Sequence, residues 1–479
     1  MALPKNEYQP IPDNKVLINV GALLDIPTGF YVKGKFGESI LNGGLGALTG
    51  GTGQPNNFKS TLMHYMMLSA ASRLSSVTET SMSTYDTELN IHESRLAKFA
   101  ARFPEFANKN IFLDQTWVVT DKTIYHGNKW FELFKKYVHD KVALGAKAEI
   151  ETPFLQRDGV TPFRMLTPTF CEIDSLSEFE TEDVYKIQTE NELGESGGNT
   201  MHMRQGLAKT RLMMEMAPLV NQGIHYTLFS AQIGKESAIQ TGPVALPPPK
   251  KLQYLKGGDK VIGVTGKFLY LMSNFWNASS AVPLINQGTK GPEYPRNPED
   301  SRPGDTDLNI VKLTQLRSKS GPTGIVLEIV VSQSEGVMPS LTEFHYLKNQ
   351  KFGLEGNNIN YSLSLYPDVK LSRTTVRSKT NNDPKLRRAM TITAELAQMH
   401  QLWRHIDDGT LCTAKELYDD LIAKGYDWDI LLNTRGYWLP DNHKQPVPFL
   451  STWDLLAIKQ GVYHPYWLEN DKKTIKTFK

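Results

Sequence analysis

A turn rich in polar residues and glycine leads into a lysine and a serine at Gly53-Gln54-Pro55-Asn56-Asn57-Phe58-Lys59-Ser60-Thr61. A β-type run precedes it and an apolar-periodic stretch follows. This is an arrangement that holds phosphate. Backbone N–H groups of the turn face the anion, the lysine ammonium reaches the β and γ oxygens, and the serine hydroxyl binds Mg²⁺ where the helix dipole favours negative charge. Phe58 stands where such loops usually carry glycine. It is accommodated if its φ is negative and its ring points away from the phosphates.

Three further side chains have types and positions that suit phosphoryl chemistry. In "TYDTEL", Glu88 lies just beyond a strand end, where a carboxylate can orient or deprotonate an attacking water. In "TFCEIDSL", Asp174 ends an apolar strand and can hold Mg²⁺ through water, although Glu172 inside that run is unusual for a buried strand. In "HYTLFSAQIGKE", Gln232 ends a buried strand, a neutral group placed to sense a γ-phosphate and pass the state into the loop that follows.

These groups need a scaffold that gathers strand ends. Across residues 43–331, β-type runs at 47–50, 82–86, 111–113, 169–173 and 224–230 alternate with helix-type runs at 59–73, 92–103 and 204–219. The alternation predicts a mostly parallel sheet wrapped by helices, with ligands at its carboxyl edge. Runs at 310–316 and 325–331 flank "RSKSGP" and read as an added hairpin. Long segments at 190–200, 233–266 and 288–307 interrupt the pattern, and the third reads as a disordered surface insertion. A helical stretch at 386–405 and the segment 413–440, with Thr413 as its N-cap, make a small carboxy-terminal α+β module.

Composition narrows the class. The 479 residues carry 53 basic and 51 acidic side chains, a formal charge of +2, so any nucleic-acid surface is local. Cys171 and Cys412 are too few for a disulfide framework or a cysteine zinc site. No apolar stretch approaches the roughly 20 residues of a membrane span. The expected location is the cytoplasm, with no membrane partner.

The phosphate loop, a D-x-E strand end, an Asp-Ser strand end and a strand-terminal Gln before a long loop, in this order, resemble the RecA family of recombinase ATPases. "FKS" with "YDTE" is most similar to the UvsX recombinases of phages, which implies a phage-infected or bacterial cell. The resemblance covers residues 43–338 as a RecA-like P-loop ATPase core, leaving 1–42 as an amino-terminal extension and 339–479 as the carboxy-terminal module. It implies ATP and Mg²⁺ as cofactors. It also implies binding of single-stranded and possibly duplex DNA, and a homo-oligomer that is a filament rather than a ring.

Residue by residue, the resemblance makes Gln232 the coupling group and gives Arg317 and Lys319 of "LRSKSGP" a role at a neighbouring subunit's nucleotide. DNA would lie along 194–205 and 233–266, where His202, Arg204, Lys235, Lys250, Lys251 and Lys256 can meet backbone phosphate. Arg95 occupies the position of the family's base-stacking tyrosine, and its guanidinium plane can stack instead. "TRGYWLP" is similar to the family's carboxy-terminal aromatic motif. The family's amino-terminal helix and linker are not recognisable before Gly43. A hexameric RecA-like replicative helicase shares the same core and stays open as an alternative. So does a catalytically inactive scaffold, with Phe58 as the mark of a lost activity.

Overall fold

The computed structural model describes residues 15–182, 184–186, 201–235, 252–300, 302–357, 359–403 and 409–476, with the backbone alone for 201–205. β1 (Phe30–Lys33) and β2 (Ser39–Asn42) form an antiparallel pair, as do β6 (Glu149–Leu155) and β7 (Pro162–Leu166). The main sheet contains β3 (Leu48–Gly53), β4 (Met82–Asp86), β5 (Trp117–Asp121), β8 (Thr169–Asp174), β9 (His225–Lys235), β10 (Asp259–Val261), β11 (Asn274–Pro283), β12 (Leu308–Ser318), β13 (Val326–Ser332) and β14 (Gly336–Val337). Its order is β14-β13-β12-β11-β3-β9-β8-β4-β5, with β10 paired to β9. From β11 to β5 neighbours run parallel; β12, β13, β14 and β10 are antiparallel additions. The chain is therefore a mixed α/β fold with a large mixed sheet.

The helices are α1 (Lys59–Ser75), α2 (Glu93–Ala100), α3 (Gly127–Ala143), α4 (Met201–Gly223), α5 (Gly266–Leu271), α6 (Pro339–Gln350) and α7 (Pro384–Leu402), with shorter ones near the carboxy terminus. Successive strand residues face opposite layers. Leu228 joins Leu62 and Met63 of α1, while Phe229 joins Phe134 of α3 and Met213 of α4. α1 is apolar or small on every side and is buried on nearly every side. The sheet covers one flank of it, and residues 15–42 with the carboxy-terminal helices cover the other. Tyr65 and Ser69 donate to the Val20 carbonyl at 2.7 and 2.8 Å, Gln398 of α7 to that of Leu23 at 2.9 Å, and Trp438 to that of Leu17 at 3.0 Å. The "TRGYWLP" motif thus pins the amino-terminal segment. Its Arg435 is buried on the Tyr437 and Asn442 carbonyls.

Several expectations need correction. The run 111–113 is not a strand. Asn110 and Asp114 side chains turn the backbone there, and the β-branched stretch from Trp117 pairs with β4 instead. The segment 288–307 is no loose insertion in its described part. Tyr294 is fully buried with its hydroxyl 3.0 Å from His345 Nδ1, and Arg296 donates to Glu335 at 3.0 Å. β9 does not end at Gln232 but runs on to Lys235, because β10 pairs with its last residues. Thr413 does cap a helix, Ala414–Ala423, through a reciprocal capping box with Glu416. Among the described residues, no helix is long and apolar enough to cross a membrane.

Candidate functional site

Register brings the predicted residues to one edge. Gly53 lies opposite Gln232 on β9, and Asp174 opposite Asp86 on β4, two residues before Glu88. All four positions are where the parallel pairings end on their carboxyl side, beside a cleft of about 770 Å³ lined by Asn56, Lys59, Ser60, Glu88, Arg95 and Asp174. β3 has sequence-distant strands on both sides, so the crevice opens where the winding changes direction. Pro55, Phe58 and Thr61 line the cleft as well. Gln54 closes the turn by accepting from the Asn57 backbone at 3.3 Å.

The loop is tied to β11. Asn57 Nδ2 donates to the Ala278 carbonyl at 2.8 Å, and a Cβ on Gly53 would sit 2.8 Å from that same oxygen. Only glycine lets the backbones approach this closely. Phe58 departs from expectation: its φ is +60° with ψ +24°, the left-handed region, at the N-cap of α1. The chain must turn sharply to aim the first N–H groups of α1 into the cleft. Glycine does this freely; phenylalanine does it at a cost of about 1–2 kcal/mol. Its half-buried ring packs against the core beside α1, which offsets part of that cost.

Glu88 is half buried and fully engaged. Oε1 accepts from Ser175 Oγ at 2.8 Å and from Gln232 Nε2 at 3.2 Å, while Oε2 accepts from Asn90 at 3.1 Å. Burial pushes its pKa up, but the Ser175 bond, the Lys59 charge and the Gln232 bond outweigh it and hold the carboxyl below its ordinary value. Glu88 is therefore ionised at neutral pH. Asp174 Oδ1 accepts from Ser60 Oγ at 3.0 Å and also from Ser230 Oγ. These oxygen donors suit a hard divalent cation.

Beneath them, His64 Nδ1 lies 2.6 Å from Glu172 Oε2, both groups buried, and among the described residues the other Glu172 oxygen has no hydrogen-bond partner. Burial pushes the Glu172 pKa up; burial also penalises the His64 cation, but the Glu172 charge overrides this and raises its pKa. The unusual strand glutamate is thus one half of a buried pair. Ser60 and His64 are four apart on α1, and Glu172 and Asp174 two apart on β8, so each pair shares a face. That spacing was legible; the facing of the two pairs was not. Sequence reasoning also missed Ser175, Ser230 and Ser177. Ser177 Oγ receives the Gln232 N–H at 2.8 Å and donates to the Ile262 carbonyl at 2.9 Å, while Lys209 of α4 donates to the Ser177 carbonyl at 2.9 Å.

The remaining candidates lie elsewhere. Arg95 is exposed at the cleft rim with its guanidinium 5.4 Å from the Phe99 ring centre, a planar group available at the opening. Arg317 donates to the Tyr270 carbonyl at 2.9 Å and Lys319 to that of Leu271 at 2.7 Å, so both cap the carboxyl end of α5. β12, the nearer strand of the hairpin, is two places from β3 in the sheet order. The hairpin is remote from the loop because β12 runs antiparallel, which puts Arg317 opposite Phe275, near the amino end of β3.

Lys235 is paired with Asp259 across β9 and β10 and is not an unpaired loop charge. Lys256 is exposed in the turn before β10. α4 already begins at Met201, so His202 and Arg204 stand in its first turn rather than on a loop; their side chains, and Lys250 and Lys251 entirely, lie outside the described residues. No protein-family model matches this chain, and no curated protein matches its sequence significantly.

Proposed function

We propose that the chain is an ATP-hydrolysing, DNA-binding recombinase of RecA type, most similar to the phage UvsX recombinases, acting on single-stranded DNA as a homo-oligomer. The observation that carries this reading is the hydrogen bond from Gln232 to Glu88 above the Ser60–Asp174 contact. It joins a would-be catalytic carboxylate to the strand that leads into the second candidate DNA segment.

In this reading the 53–58 turn and Lys59 hold the β and γ phosphates, and Ser60 and Asp174 supply the oxygen donors for magnesium. The metal, when bound, neutralises charge on the phosphate oxygens. Glu88 accepts a proton from, or orients, the attacking water. A γ-phosphate beside Gln232 competes for its amide, and any displacement of Gln232 acts on Ser177, to which its own N–H is bonded. Ser177 in turn contacts the end of β10 and, through Lys209, helix α4. Both flanks of the candidate DNA-binding region therefore meet at one serine.

The test is ATP turnover with and without single-stranded DNA, in the wild type and in Lys59→Ala. DNA-stimulated hydrolysis that Lys59→Ala abolishes, with DNA affinity that falls as salt rises, supports the proposal. Wild-type turnover in Lys59→Ala, or no binding of single strands, refutes it.

A further inference from the structure

Arg73, in the last turn of α1, borders a second cavity of about 470 Å³, far from the phosphate loop and lined by residues 21–26, residues 103–105, α6, α7 and the 434–437 turn. Among the described residues, four arginines line it: Arg73, Arg387, Arg388 and Arg435. Among the described residues, only Arg73 comes within ion-pair distance of a carboxylate, Asp25 Oδ2 at 3.8 Å, too long for a hydrogen bond. That carboxylate is already engaged by the Val20 and Gly21 N–H groups at 2.7 and 2.9 Å.

Arg387 and Arg435 are held by neutral partners, chiefly backbone carbonyls. Arg388 is 8% exposed and bonds the Leu450 carbonyl through Nη2; among the described residues its Nε has no partner, and Arg73 Nη1 is likewise buried without one. Three other carboxyls line the cavity: Glu105, which accepts from Ser72 Oγ, and Glu343 and Glu395, which burial pushes up to about 8 and about 7, so that Glu343 is mostly neutral and Glu395 about half ionised at neutral pH.

Buried guanidinium without a hydrogen-bonded carboxylate is costly, and buried donors without acceptors are rare. The backbone is shaped around these groups. A Cβ on Gly436 would lie 2.3 Å from Arg388 Nη1, and one on Gly21 would lie 3.1 Å from Arg73 Nη2. Arg73 is also stacked 4.3 Å from the Tyr437 ring centre, which fixes its plane. The volume lies in the range of small-molecule sites. We propose that this cavity binds a small organic oxyanion, a carboxylate or a phosphate ester, between Arg73 and Arg388. The site is separate from the cleft at the phosphate loop and does not depend on the function assigned to that cleft.

Thermal unfolding of the full chain, titrated with malonate or with glycerol 3-phosphate at ionic strength matched with sodium chloride, tests it and separates the two sources. A saturable rise in Tm is expected with at least one probe. The apparent Kd should weaken at least tenfold in Arg73→Met and in Arg388→Gln, and stay within twofold in Lys59→Ala. Should Arg388→Gln fail to fold, Arg73→Met decides, because the Arg73 side chain is 21% exposed and its only carboxylate contact among the described residues is the long one to Asp25. The proposal is overturned if neither probe gives a saturable shift, if Arg73→Met binds as well as wild type, or if Lys59→Ala alone abolishes the shift.

Discussion

Glu88→Gln separates chemistry from architecture at the cleft. The carboxylate receives three hydrogen bonds, at 2.8, 3.2 and 3.1 Å. A glutamine keeps an oxygen for Ser175 and Gln232 and turns its amino group toward Asn90, whose own amide can rotate to accept. What is lost is charge assistance in a half-exposed group, about 1 kcal/mol or less of stability. The loss to catalysis is larger. Removing a general base lowers turnover by about 10²–10⁴, which corresponds to about 2.7–5.5 kcal/mol of barrier at about 1.36 kcal/mol per factor of ten. The assay is phosphate release at saturating Mg-ATP, with and without single-stranded DNA, alongside titration of a fluorescent ATP analogue. Nucleotide affinity should stay within a few-fold while turnover collapses. Turnover within threefold of wild type would return Glu88 to an ordinary turn residue, and loss of nucleotide binding with turnover would make its role structural.

At Phe58 the positive φ is tested by comparing alanine with glycine, since both remove the ring: Phe58→Gly should be more stable than Phe58→Ala by about 0.5–1 kcal/mol in denaturant unfolding, and equal stabilities would refute the strain. Lys141 is buried, bonded to Thr169 Oγ1 at 2.8 Å and the Ile224 carbonyl at 3.1 Å, and burial pushes its pKa down to about 7. The unfolded chain therefore binds more protons than the folded one between pH 7 and its ordinary 10.5, and stability attributable to this group rises with pH across that window by up to about 1.4 kcal/mol per unit. Lys141→Met should flatten that slope, and an unchanged slope in urea melts at pH 7 and 9.5 would show that the lysine is not protonated as described. Arg317→Ala/Lys319→Ala should lose the two caps on α5, about 1–3 kcal/mol. If the pair acts on a neighbour's nucleotide, mixing that variant with Lys59→Ala should restore part of the ATPase activity, and a mixture as inactive as its co-assembled parts excludes the role.

Periodicity and end-chemistry settled much of this molecule in advance. Alternating apolar runs place β4, β8, β9, β12 and β13 close to where they form, because strand and helix periods are local properties of the chain. The helix start at Lys59 and the cap at Thr413 depend on neighbours a few residues away, and both were legible. So were Glu88 and Asp174 as strand-end carboxylates. Position relative to other strands was not. The Phe58 ring is held by tertiary packing, which lets a backbone conformation persist that the residue type alone would disfavour. β9 runs past Gln232 because β10, more than twenty residues on, supplies hydrogen-bond partners. The direction of β12, not its place in the order, carries Arg317 away from the loop. The His64–Glu172 pair and the arginine cavity are assembled from residues remote in sequence, where burial rather than spacing sets the charge state. Local pattern determined which groups could do chemistry; only the packed sheet decided which of them meet.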